Sequence, residues 1–279
     1  MNLQKKSASI ILSIGFIITF CVILMGLSQF KHFVPSQFER FTHGILGLIA
    51  AIIVVWIFLK YEKKSFLSIG LIWQKNTFQK FIIGLLVGIL MATIMVYIQV
   101  LVSGLEISFV ENYNIATFLM WSTALIPLAL MEEIAFRSYP FIKLNRVFGF
   151  RITQVIVAML FAVYHIGNGW SIGMSFLGPG VLALVFGLST KISDGVSMPT
   201  GLHYGANLLL AAISSQKGIE GILSIDFPAE ITESAIVANQ NVSIAIHIGL
   251  FICCIIVTEI YLKSKKLKNK NMFYTDAKH

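Results

Sequence analysis

Glu132 and Glu133 stand side by side, with Arg137 four residues beyond the second, at the end of an apolar run from Ile115 to Met131. An ionised carboxylate in hydrocarbon costs several kcal/mol unless it is paired, protonated or wet, so such a cluster marks a candidate functional site. Further on, Phe161 and His165 are four apart, as are His203 and Asn207. Residues four apart share a helix face, so three helices can each turn one polar face into a common pocket. Carboxylate and imidazole together suit water activation. One glutamate can serve as general base and then as acid. A histidine and an asparagine can donate hydrogen bonds to the oxyanion of a tetrahedral intermediate. Arg137 would hold the second glutamate ionised and fixed. Amide hydrolysis requires these three roles.

Each residue also has a structural reading. A histidine in an apolar helix commonly makes a packing hydrogen bond, and His247 is read that way. Glu133 with Arg137 can be an internal salt bridge, and Asn207 can bond across helices. Glu259 sits at the inner end of the last apolar run, beside the basic tail. The conjunction of two glutamates, two histidines, an asparagine and an arginine is harder to explain as packing. A metal version of the same site is open: Glu133, His165 and His203 would be three zinc ligands, water the fourth, and Glu132 the base. No HExxH sequence, which sets two histidine ligands on one helix turn, supports it.

These groups need a scaffold, and composition says which kind. The 279 residues are 57% hydrophobic and 12% charged, and mean hydropathy is +0.83. Soluble domains carry about 25% charged residues. The chain therefore reads as one all-α, polytopic membrane domain over residues 1–279, with a catalytic core at about 115–214. About 20 apolar residues cross the hydrocarbon as a helix. The spans expected are Ser7–Leu27, Gly44–Leu59, Phe81–Leu105, Ile115–Ile134, Ile152–Ile166, Gly173–Thr190, Met198–Ser214 and Val242–Leu262, about eight transmembrane helices. The first is longer than a signal-peptide core of roughly 7–15 residues, so it is expected to be retained. Cys21, Cys253 and Cys254 all fall in apolar runs and read as core residues. Lys60 to Lys80, with Trp73, reads as either an interfacial amphipathic stretch or a connecting loop.

Charge bias orients the bundle. With both termini cytoplasmic, 17 Lys and Arg face inside and only Lys31, Arg40 and Lys217 face outside, Arg137 set apart. Most acids fall outside instead: Glu39, Glu106, Glu111, Glu220, Asp226, Glu230 and Glu233. The net charge of +8 thus reflects topology in a cell membrane and attraction to anionic lipids, not nucleic-acid binding.

The pattern Glu132-Glu133-x-x-x-Arg137, Phe161-x-x-x-His165, His203-x-x-x-Asn207 resembles the three motifs of the CAAX-protease and bacteriocin-processing (CPBP, Abi) intramembrane proteases. Phe136, Tyr139 and Asn168 fit the same local context, and Ser138 departs from the glycine common after the arginine. The resemblance spans about Phe118 to Ala212. It implies a multi-pass, all-helical endopeptidase with catalytic positions Glu132, Glu133, Arg137, His165, His203 and Asn207. Eukaryotic members trim prenylated CaaX proteins, and bacterial members are associated with peptide maturation, secretion or bacteriocin self-immunity. Metal and glutamate-activated water are both argued for the family.

The substrate expected is a hydrophobic or membrane-associated peptide or protein; the sequence does not address oligomeric state. The competing readings are a secondary transporter or proton relay, since intramembrane Glu and His also mark ion pathways, and a non-proteolytic immunity or scaffold member of the family. A site opening to the cytoplasm is expected. One measure strains that expectation: His165 lies 14 residues beyond Arg151, about 21 Å along a helix at 1.5 Å per residue. That depth requires the fifth helix to start late, or the stretch 148–151 to lie along or within the membrane.

Overall fold

The computed structural model describes residues 3–214, 218–227 and 232–276, the last ten by backbone alone. Lys217, Glu230 and Lys278, used in the charge argument, lie outside the described residues, as do the side chains of Lys268 and Lys270. The described chain is helical almost throughout, as the hydropathy requires. Its helices are α1 (Leu3–Ser28), α2 (Glu39–Tyr61), α3 (Thr77–Ser103), α4 (Ile115–Ser122), α5 (Leu125–Arg137), α6 (Tyr139–Gly167), α7 (Ile172–Ser175), α8 (Val181–Ser193), α9 (Ser197–Ile213) and α10 (Glu233–Asp276).

Six stretches of the described residues are long and apolar enough to cross a membrane, not eight. Two features account for the difference. The fourth and fifth expected spans fall in one stretch, Ile115–Gly167, and α9, the seventh, has only 17 residues where a full crossing takes about 20. Within that long stretch the chain is cut three times. Thr123 and Ala124 part α4 from α5, and Ser138 parts α5 from α6. Gly149 then breaks α6 with φ +74° and ψ 172°, a backbone region that is essentially glycine-only. A π turn at Phe176–Gly180, containing Pro179, leads into α8. Such broken helices survive in a bilayer where protein covers the freed backbone. The stretch 62–76 forms no amphipathic helix, only a short 3-10 turn at Phe66–Ile69.

Contacts sort the loops into two ends. At one end Lys143 pairs with Glu62, Arg146 donates to the Ser68 carbonyl at 2.9 Å, and the Tyr261 hydroxyl donates to the Lys191 carbonyl at 3.4 Å. Burial alone would raise the Glu62 carboxyl, but hydrogen bonds from Lys143 and Lys64 and the charge of Lys143 hold it below the usual carboxylate range. This is the lysine-rich end. At the other end two strands that sequence reading misses, β1 (Glu106–Phe109) and β2 (Leu223–Asp226), pair antiparallel.

Glycine fixes the two contacts that set the site. On α2, a Cβ at Gly47 would fall 1.8 Å from the Met131 sulfur, so α5 nests directly on α2. On α3, a Cβ at Gly84 or Gly88 would fall 2.1 Å from the carbonyl oxygen of Met198 or Leu202. On α9, Gly201 and Gly205 meet Phe81 and Leu85 of α3 just as closely. The two helices therefore run parallel with their backbones in contact. The small residues Gly84 and Gly88 serve packing within the bundle.

Candidate active site

Because Gly201 and Gly205 face α3, the opposite face of α9 is left for His203 and Asn207. Across from it stands α5, packed between α2, α6 and α9. Its last two turns are buried throughout, from Met131 to Arg137, and bring the charged residues to the interior as the sequence spacing anticipated.

Glu133 and Arg137 are both fully buried, at 0% exposed, and meet at 3.3 Å between Oε2 and Nε. The guanidinium also lies 4.4 Å from the ring centre of Phe161 and 5.2 Å from that of Phe186, a cation–π arrangement that suits a desolvated arginine. The second carboxylate oxygen of Glu133 accepts from Nδ1 of His203 at 2.9 Å. A carboxylate can only accept, so Nδ1 carries the hydrogen. Phe186 stacks on the same imidazole, with centroids 4.6 Å apart and planes at 18°. Nε2 of His203 is thereby aimed at Oε2 of Glu132, 3.8 Å away, too far for a direct hydrogen bond. That oxygen is buried and has no hydrogen-bond partner within the protein among the described residues.

His165 sits nearer the far end of α6. Its Nδ1 faces the Phe161 carbonyl at 2.9 Å, so the same logic puts the hydrogen on Nδ1 and leaves Nε2 as an acceptor in the neutral ring. Phe161 and Trp170 hold the ring edge-to-face at 4.6 and 5.5 Å.

A cavity of about 870 Å³ joins these groups, lined by Glu132, His165, His203 and Asn207. Binding cavities for small ligands run from about 300 to 1,000 Å³. Of the six expected site residues, then, four line one space and two, Glu133 and Arg137, lie behind it. Among the described residues no three of His, Cys, Asp and Glu come together as a metal ion would require. Glu133, expected as a ligand beside His165 and His203, faces Arg137 and Nδ1 of His203 instead. The zinc triad therefore does not fit this arrangement.

Other groups escaped the sequence reading. Phe186 orients His203, and the hydroxyl of Tyr164 interacts with Glu132 and Asn168. Tyr164 sits one residue before His165, which was the only available signal. His247, read as a packing residue, lines the cavity with Arg40 and Trp170, while its Nδ1 meets the Ser243 carbonyl one turn back at 2.8 Å.

Residues 114–209 match the family model described as type II CAAX prenyl endopeptidase, Rce1-like. This segment is an Rce1-like domain of the CPBP/Abi family. All six expected site residues fall inside it, and so do α5, the break at Gly149 and α9 as far as Leu209. The Rce1-like match supports an intramembrane protease in general, carried by a multi-pass helical membrane protein. No curated protein matches the chain.

Proposed function

We propose that the chain is a membrane-embedded endopeptidase that hydrolyses a peptide bond of a hydrophobic or membrane-associated peptide through water activated by Glu132. The observation that carries this reading is the pairing of Glu132 Oε2 with Nε2 of His203 at 3.8 Å on the cavity wall. A water molecule that entered between the two atoms would contact both. The Glu132 carboxylate takes a proton from the water as its oxygen adds to the carbonyl carbon. The oxyanion accepts a hydrogen bond from the Asn207 amide, which needs no protonation to donate. Glu132 then delivers its proton to the amide nitrogen as the C–N bond breaks, releasing a carboxylic acid and an amine. Glu133 is a positioning residue: paired with Arg137, it fixes the tautomer and orientation of His203. Both histidines commit Nδ1 as a donor, so each offers Nε2 as an acceptor when neutral and as a second donor when protonated.

The reading extends to one membrane domain over residues 1–279 with a catalytic core at about 115–214. It places both termini in the cytoplasm of a cell-membrane protein in contact with anionic lipids. A transporter or proton relay would need access to the site from each side in turn. The buried charged and imidazole groups among the described residues, Glu132, Glu133, Arg137 and His203, all lie on α5 and α9, with none elsewhere to relay an ion across, which favours the enzyme.

The test is cleavage of a hydrophobic peptide library by purified protein in detergent, with Glu132→Gln, with and without chelation and metal analysis. Glu132→Gln should lower kcat by about 10²- to 10⁴-fold, the usual worth of a general acid–base, without lowering protein yield or thermal stability. Chelation should leave the wild-type rate unchanged. Full cleavage by Glu132→Gln would remove Glu132 from the chemistry, and no cleavage by the wild type would favour a scaffold or immunity role. Stoichiometric zinc lost together with activity would replace the mechanism with a metal one.

A further inference from the structure

The cavity has a closed floor and an open mouth, and they point to opposite ends of the bundle. At the floor Glu132 and His203 are each 8% exposed, and behind them Arg137 and Leu144 are 0% exposed. Toward the mouth the lining becomes exposed: Trp170 is 47% and Met174 63% exposed, with Ser171 and Gln240 also exposed. Trp170, Ser171 and Met174 follow the far end of α6, away from its Lys143–Glu62 contact, and Gln240 lies in the first turns of α10, just after β2. Arg40, at the start of α2, lines the cavity from the same side. The mouth is therefore at the strand end. Lys60, Lys63, Lys64, Lys75, Lys80, Lys143, Arg146 and Lys191 all belong to the other end, which the positive-inside bias assigns to the cytoplasm.

We infer that the cavity opens to the face of the membrane away from the cytoplasm, so its substrate is a peptide, or an exposed segment of a membrane protein, presented at that outer face. This rests on the peptidase reading for the word substrate, though the direction of opening does not. It reverses the expectation of a cytoplasmic opening. It also removes the depth problem of His165: that residue belongs on the outward wall of a long cavity, not in a level ring with Glu132 and His203.

The experiment is thiol accessibility in membranes, which needs no catalysis and so stands apart from failure of the peptidase reading. Cys21, Cys253 and Cys254 are replaced by alanine, and single cysteines are introduced as Ser171→Cys and Met174→Cys at the mouth and Lys75→Cys at the basic end. A membrane-impermeant maleimide is applied to spheroplasts and to inverted vesicles, with detergent-unfolded protein as the full-labelling reference. The expected result is mouth labelling in spheroplasts and Lys75→Cys labelling only in inverted vesicles. Mouth labelling confined to inverted vesicles would overturn the inference. So would mouth cysteines silent from both sides yet reactive after unfolding, since lipid would then cover the opening.

Discussion

Arg137 touches Glu133 and the rings of Phe136, Phe161 and Phe186 and is 0% exposed, so its removal strands a carboxylate in the bundle interior. Breaking a buried ion pair from one side costs about 3–5 kcal/mol. Arg137→Ala should therefore shorten the thermal half-life sharply and reduce folded yield in detergent. Arg137→Lys keeps the charge but not the flat guanidinium that lies against Phe161, and lysine does not replace arginine at stacked sites. It should fold better than the alanine variant and still lose peptidase rate, because His203 is oriented through Glu133. Equal rates for Arg137→Lys and wild type would leave Arg137 a purely structural counter-charge. Glu62 poses a simpler acid–base question at the lysine-rich surface. Its folded carboxyl is held below the usual range, so its stabilising effect is present at neutral pH and lost as pH falls through that lowered value. The stability difference between wild type and Glu62→Gln should be about 1 kcal/mol, the upper end for surface pairs because Lys143 and Glu62 are only 13% and 15% exposed, and should vanish in acid.

At the scale of elements, the α3–α9 contact decides where His203 sits. A methyl group at Gly88 has no room beside the Leu202 carbonyl oxygen, and backbone cannot move aside as a flexible side chain can. Gly88→Val should destabilise by about 1–3 kcal/mol through overpacking and lower kcat more than it raises KM, because it pushes α9 away from α5. Gly26 of α1 has nothing within 4 Å of its added Cβ, and Gly26→Ala should be neutral or stabilising by up to about 1 kcal/mol. Thermal unfolding with paired kinetics distinguishes the two. A Gly88→Val enzyme as active and stable as wild type would mean that the helices are not in backbone contact.

For the whole molecule, the three polar helix faces were legible because spacing of four in an apolar run is a strong local signal. Glu132, His165, His203 and Asn207 do share one cavity. The helical membrane architecture followed equally from hydropathy, but the number of spans did not. Thr123 follows Ser122 and Ser138 follows Arg137, polar pairs that helices commonly carry, and nothing local says that the helix stops there. The strands are four residues each, and their partners are more than a hundred positions apart. Phe186 and Trp170 look like any lipid-facing aromatic until the fold brings them to the histidines. The direction of the cavity was hidden for the same reason, since it depends on which helix ends are buried against others.

The parallel pair α3 and α9 is tied at three heights. Ser197 donates to the Thr77 carbonyl at the start, the glycines interlock in the middle, and the β1–β2 ladder follows at the far end. A helix restrained at three points can neither slide nor roll, so the wall bearing His203 and Asn207 behaves as an anvil. The wall leading into α8 is jointed: a four-residue helix and a π turn containing Pro179 precede it. Substrates of different bulk would then be accommodated by yielding of the Ile172–Gly180 side, while the geometry of the histidine and its two glutamates stays constant.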